Sequence, residues 1–103
     1  MYRIEITTSA RNDIYDIFNY ISNELNNISA ANKLKIKLFN EINNISIFPF
    51  GSPIVYINFK SIYKYRSLKV KNYSIFYTVN EELKVITIVR VLYSKRDFNS
   101  ILK

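Results

Sequence analysis

Apolar and polar residues alternate at the start of the chain, in Arg3-Ile4-Glu5-Ile6-Thr7, and this period of two predicts a first β-strand. The period then lengthens. Ile14, Ile17, Phe18, Ile21 and Leu25 recur every three or four residues, one face of a helix over about 10–25. Ser9 is the expected N-cap, with Asp13 and Asp16 in or near the first turns, where the helix dipole favours anions. Asn26-Asn27-Ile28-Ser29 interrupts the pattern, and Ser29 can cap a second helix with the stripe Ala31, Leu34, Leu38, Ile42 and Ile45. So short a connection between two amphipathic helices predicts an antiparallel helical hairpin.

Phe48-Pro49-Phe50-Gly51-Ser52-Pro53 holds both prolines and the only glycine, and it ends the second helix. A loop to about Ile62 is expected next. Tyr63–Val70 and Tyr73–Val79 then read as strands joined by the two-residue turn Lys71-Asn72. Asn80-Glu81-Glu82 turns the chain into a further strand over Leu83–Leu92. Turns this short make the three strands an antiparallel meander. The last two are apolar on both faces, so both faces are at least partly covered. Asp97 is placed to cap a last helical turn holding Phe98, Ile101 and Leu102. Neither a repeat nor a boundary interrupts the pattern. Residues 1–103 therefore read as one α+β domain, β-α-α-β-β-β, with a helical hairpin packed on an antiparallel sheet.

Composition removes whole classes of chemistry. The chain has no cysteine and no histidine, so disulfide frameworks, Cys/His zinc sites, thiol nucleophiles and the usual imidazole base are excluded. No metal and no cofactor is expected. No apolar run approaches the ~20 residues of a membrane span, and the first residues lack the apolar core of a signal peptide. A cytoplasmic protein with no membrane partner is the expectation.

Charge is unevenly placed. The net +7 lies in the second half, since residues 1–50 balance and no acidic residue occurs between Gly51 and Asn80. Clustered positive charge attracts polyanions and acidic partners, although it also solubilises. Three clusters are candidates. Arg66, Lys69 and Lys71, preceded by Tyr63 and Tyr65, suit phosphate contact with tyrosine stacking, or a solvated edge strand whose lysines block edge-to-edge pairing. Strand alternation puts Arg66 and Lys69 on opposite faces. Arg90, within the apolar run Val85–Leu92, must reach a carboxylate or carbonyl, or open onto a polar site. Tyr93-Ser94-Lys95-Arg96-Asp97 combines a phenol, an ammonium, a guanidinium and a carboxylate, which suits phosphate binding or a capped turn. No phosphate-binding loop, serine-hydrolase elbow or metalloprotease motif is present.

Taken in order, several segments resemble the ParE/RelE superfamily of bacterial type II toxins. They are Ile4–Thr7, Ala10-Arg11-Asn12-Asp13-Ile14-Tyr15-Asp16-Ile17 with Tyr20-Ile21, Ala30-Ala31, and Phe48-Pro49. Tyr65-Arg66-Ser67-Leu68-Lys69-Val70, Asn72-Tyr73-Ser74-Ile75-Phe76-Tyr77 and Val89-Arg90-Val91-Leu92-Tyr93-Ser94-Lys95-Arg96-Asp97 complete the set. The resemblance spans nearly the whole chain. It implies a small toxin neutralised by a cognate antitoxin, which the +7 charge predicts to be acidic.

The superfamily holds two activities. RelE-like members cleave messenger RNA on the ribosome, and ParE-like members poison DNA gyrase. The RelE-like pattern places an arginine just after the tyrosine of the third core strand, and Ser74 stands there in this chain. A serine cannot supply fixed charge to a phosphoryl group. Many such sequences carry histidine where this one has Tyr93, and a phenol is a poor base at neutral pH. The resemblance thus implies a gyrase poison, with Arg66, Lys69, Lys71, Arg90, Lys95 and Arg96 as target-binding residues. The alternative is a ribosome-dependent endoribonuclease acting on mRNA through Arg66, Arg90, Tyr93 and Arg96. A basic binding domain without toxicity is the third reading.

Overall fold

The computed structural model describes residues 1–55, 64–96 and 101. Strand β1 (Arg3–Ile6) leads into α1 (Thr8–Asn19), which continues as a π-helical turn over Tyr20–Glu24. Helix α2 (Ile28–Ile47) follows, and then β2 (Ile54–Val55), β3 (Tyr65–Val70), β4 (Tyr73–Asn80) and β5 (Val85–Tyr93). The strands form one sheet in the order β1-β5-β4-β3-β2. The helical hairpin and the β3–β4–β5 meander match the pattern along the chain. The predicted start of β3 at Tyr63 and the last turn at Asp97, Phe98 and Leu102 lie outside the described residues.

Two features of the sheet differ from expectation. It is mixed, because β1 pairs in parallel with β5, Arg3 opposite Val85 and Ile6 opposite Ile88. The hairpin carries the chain away after β1, so only a later strand can take the place beside it. Ile54–Val55, expected within a loop, is a short edge strand paired antiparallel to Tyr65–Arg66.

The helix starts also move. Thr7 rather than Ser9 caps α1, its hydroxyl accepting from the Ala10 N–H at 3.0 Å. Asn27 rather than Ser29 caps α2, its side-chain oxygen Oδ1 accepting from the Ala30 N–H at 3.0 Å. Each cap serves the N–H three residues on, so a cap two residues late would leave the first donors bare. Asp13 lies beyond the first turn of α1 and serves another purpose, described below. At the end of α1 the Leu25 N–H reaches the Tyr20 carbonyl, the wider spacing of a π turn. That extra residue takes Leu25 off the buried stripe and into solvent, and it turns Ser22 inward, where its hydroxyl donates to the Phe18 carbonyl at 2.8 Å.

The α2 stripe is buried as its periodicity demands. Leu34, Leu38, Ile42 and Ile45 pack with Ala10 of α1 against Val70, Ile75, Tyr77, Ile86, Ile88 and Val91. Each of the leucines, isoleucines and valines among them contributes about 1.5–3 kcal/mol through burial. Between Phe76 and Tyr77 the register of β4 against β5 shifts, leaving Val89 as an extra residue. This bulge is why Ile88 and Val91, three apart, share the helix face. On the other face Phe76 and Leu92 are buried beneath Val55, Tyr65, Val89 and Ile101. Both faces of the sheet are thus covered in part, as the doubly apolar strands required.

Candidate functional site

Beyond Ile6 the chain leaves the sheet, so the upper half of β5, still paired with β4, has no strand on its other side. Side chains of the α1 segment take over. The Thr7 hydroxyl donates to the Val89 carbonyl at 2.8 Å while it caps the helix. The Asp13 carboxylate accepts from the Val91 N–H at 3.0 Å. The same carboxylate grips Arg90 through two bonds, from Nε at 2.7 Å and from Nη2 at 2.8 Å. Both side chains are largely enclosed. The hydrogen bonds from Asp13 raise the Arg90 pKa above its already high ordinary value, against burial, which lowers it. Of the two possibilities open for Arg90, the chain uses the carboxylate.

Arg66 is engaged too. One guanidinium nitrogen donates to the Ser52 carbonyl at 2.6 Å, and the group lies 5.0 Å from the centre of the Phe50 ring. Its register partner Tyr77 donates its buried hydroxyl to the Pro49 carbonyl at 2.9 Å. Together the two side chains tie the α2–β2 connection to the sheet. Lys69 pairs with Ser74 and so stands on the opposite face from Arg66, exposed.

The remaining predicted cations gather at one end of the sheet. The β3–β4 turn carries Lys71, with φ 54° in the left-handed region, and β5 ends beside it. The Ser94 N–H donates to the Asn72 carbonyl at 2.8 Å, and the Arg96 N–H donates to the Tyr93 carbonyl at 2.9 Å. These bonds fold Tyr93–Arg96 into a turn beside Lys71-Asn72. Lys71, Lys95 and Arg96 are all exposed there. Tyr73 and Tyr93 face each other across the strands with ring centres 5.9 Å apart and planes at 60°. The Ser74 and Ser94 hydroxyls share a hydrogen bond of 3.1 Å. Burial raises the Tyr73 pKa, and repulsion from Tyr20 and then Tyr93 raises it further, so Tyr73 stays a neutral phenol at physiological pH. Such an end suits an anion. Tyr20 and Tyr73 border it but are not among the candidates from the sequence, because helix and strand spacing alone does not bring a π turn beside two strand ends. Among the described residues, no three acidic side chains converge as a metal site would need.

A second surface feature lies on the hairpin. A groove of about 400 Å³ is lined by Ile14, Tyr15 and Phe18 of α1 and Phe39 of α2, together with the cations Arg11 and Lys35. Lys35 also lies 5.6 Å from the centre of the Phe18 ring. Among the described residues, no helix is long and apolar enough to cross a membrane.

Comparison with known proteins places this arrangement. A sequence model of the ParE toxin of the type II toxin–antitoxin system parDE matches residues 4–98. No individually curated protein matches the chain. Among solved structures, one from the chromosomal ParDE toxin–antitoxin system of P. aeruginosa is similar, with a TM-score of 0.71 at 17% identity, covering 92% of this chain and 98% of that one. A chain of the RelBE2 toxin–antitoxin complex of Mycobacterium tuberculosis aligns at 0.57 and 17% identity, covering 89% and 96%. One from the intact E. coli RelBE complex aligns at 0.56 and 13% identity, covering 93% and 100%. At these identities the structures share the fold, and the family follows from the match along the sequence: this chain belongs to the ParE toxin family of type II toxin–antitoxin systems.

Proposed function

We propose that this toxin arrests growth by poisoning DNA gyrase as a binding protein, without covalent chemistry of its own, and that a cognate acidic antitoxin holds it in check. The observation that carries this reading is Ser74, at the position where the RelE-like pattern has an arginine for the scissile phosphate, with its hydroxyl engaged by that of Ser94 at 3.1 Å. Phosphoryl transfer depends on positioned charge, and a hydroxyl pair supplies none. Two of the four residues available to a nuclease are also occupied, Arg90 by Asp13 and Arg66 by the Ser52 carbonyl. The neutral Tyr73 phenol adds no base.

The antitoxin reading draws on charge and shape together. The net +7 favours an acidic partner, and the lining of the α1–α2 groove combines apolar side chains with Arg11 and Lys35. Solved relatives are themselves parts of toxin–antitoxin complexes.

Mapping transcript 5′ ends after induction of the toxin tests the target. A gyrase poison leaves ribosome-bound mRNA uncut while DNA damage accumulates. New ends at codon boundaries on translated messages would overturn the reading in favour of an endoribonuclease.

A further inference from the structure

Helix α2 buries one stripe in the core and leaves another uncovered. The uncovered stripe is Ile28, Asn32, Ile36, Phe39, Asn43 and Ile47, all exposed. Its apolar members keep 64% of Ile28, 62% of Ile36, 45% of Ile47 and 43% of Phe39 open to solvent. We propose that this stripe pairs with its own copy, so that two chains form a weak two-fold dimer with their α2 helices side by side and antiparallel.

The stripe reads the same in both directions. Its steps are four, four, three, four and four residues, and its types run apolar, Asn, apolar, apolar, Asn, apolar. At 3.6 residues per turn the six positions fall within about 100° of arc, the width of a helix face that packs on a neighbour. A two-fold axis at the helix midpoint, between Lys37 and Leu38, sets Ile36 opposite Phe39 of the second copy. The same axis sets Asn32 opposite Asn43 and Ile28 opposite Ile47, so every position of the stripe meets a matching one. A two-fold interface has to be self-complementary in this way. The facing amides can bond across the interface and hold its register, as a lone Asn does in a coiled coil.

Charge is arranged to permit the pairing. Helix α2 carries four charged residues, and none lies in the stripe. Lys33, Lys37 and Glu41 stand about 90° or more around the helix from the stripe's centre. Lys35 borders the stripe, and the axis brings it opposite Asn40 of the second copy rather than another lysine. The helix is about 30 Å long at ~1.5 Å per residue, so the pair buries of order 1,000 Å² in total, at the small end of specific interfaces. Association in the micromolar range follows. The net +7 on each copy opposes the approach, so screening by salt should strengthen the dimer, the reverse of binding to an acidic partner.

The test uses the purified full chain in sedimentation equilibrium from about 1 to about 200 μM, a range that brackets micromolar association. A monomer–dimer equilibrium that tightens as salt rises is expected. Ile36→Lys should weaken it about tenfold or more, because it sets a charge against Phe39 of the second copy. Leu83→Lys, at an equally exposed apolar side chain on the β4–β5 turn, should leave it unchanged. Cross-linking tests the register, since the chain has no cysteine of its own. Asn32→Cys/Asn43→Cys should join two chains under mild oxidation, whereas either change alone should not, because each position meets the other and not itself. Within one chain the two positions lie about 16 Å apart along the helix, too far for a disulfide. A monomer throughout the range, association that weakens with salt, an equal loss from Leu83→Lys, or single variants that cross-link as readily as the double would each overturn the proposal.

Discussion

Asp13 is the residue on which most of the local structure converges. One carboxylate caps a bare strand N–H and binds an arginine through two parallel bonds, so it joins α1 to β5 where no strand does. Asp13→Asn keeps an acceptor for Val91 but leaves the enclosed Arg90 without its counter-charge. We expect a loss of about 2 kcal/mol in urea unfolding, below the 3–5 for a fully buried pair because Arg90 keeps some contact with water. A double-mutant cycle with Arg90→Gln should return a coupling of at least ~1 kcal/mol, and a coupling near zero would contradict the pairing. Tyr73 makes a second residue-scale prediction. Its folded pKa is raised, chiefly by burial, so above the ordinary value near 10 the unfolded chain loses this proton first. Stability is therefore full below pH 10 and falls as pH rises through the folded value. Tyr73→Phe should lessen that alkaline decline, measured as urea midpoints at pH 9 and 11. Arg90 adds nothing to this profile, since its raised pKa keeps its contribution intact throughout the range. The sequence made the pairing of Arg90 a near necessity but could not name Asp13, which is 77 positions away.

Elements with local causes were legible in the chain, and those with distant causes were not. The buried stripe of α2, the two-residue β3–β4 turn and the doubly covered β4 and β5 all follow from spacing. The caps were misplaced by two residues each because Thr7, Ser9, Asn27 and Ser29 are all competent caps, and only the backbone decides which of them is extended. Strand β2 was missed because two residues carry no period, and they become a strand only by meeting Tyr65–Arg66. The parallel partner of β1 was missed for the same reason. The α2–β2 connection shows what such long-range ties are worth. Tyr77→Phe removes the only side-chain donor found on the buried Pro49 carbonyl among the described residues, and should cost about 1–2 kcal/mol by chemical denaturation. An unchanged midpoint would mean that the carbonyl finds another donor.

The whole molecule divides its surface by charge and shape. The hairpin offers an apolar groove with two cations in its lining, and one end of the sheet offers cations and phenols, while two of the predicted functional arginines are engaged as structural ties. The candidate site was thus half legible. Its cations were visible as a run without acids, but their sorting into free and engaged groups required the fold. Lys71, Lys95 and Arg96 are left exposed, and the proposed reading assigns them to binding the target. Gyrase supercoiling of relaxed plasmid, titrated with the purified toxin with and without its antitoxin, tests this most directly. The toxin is expected to block supercoiling and leave linear, gyrase-cleaved plasmid, and the antitoxin to restore the supercoiled product. Unchanged supercoiling by a preparation that still arrests growth would contradict it.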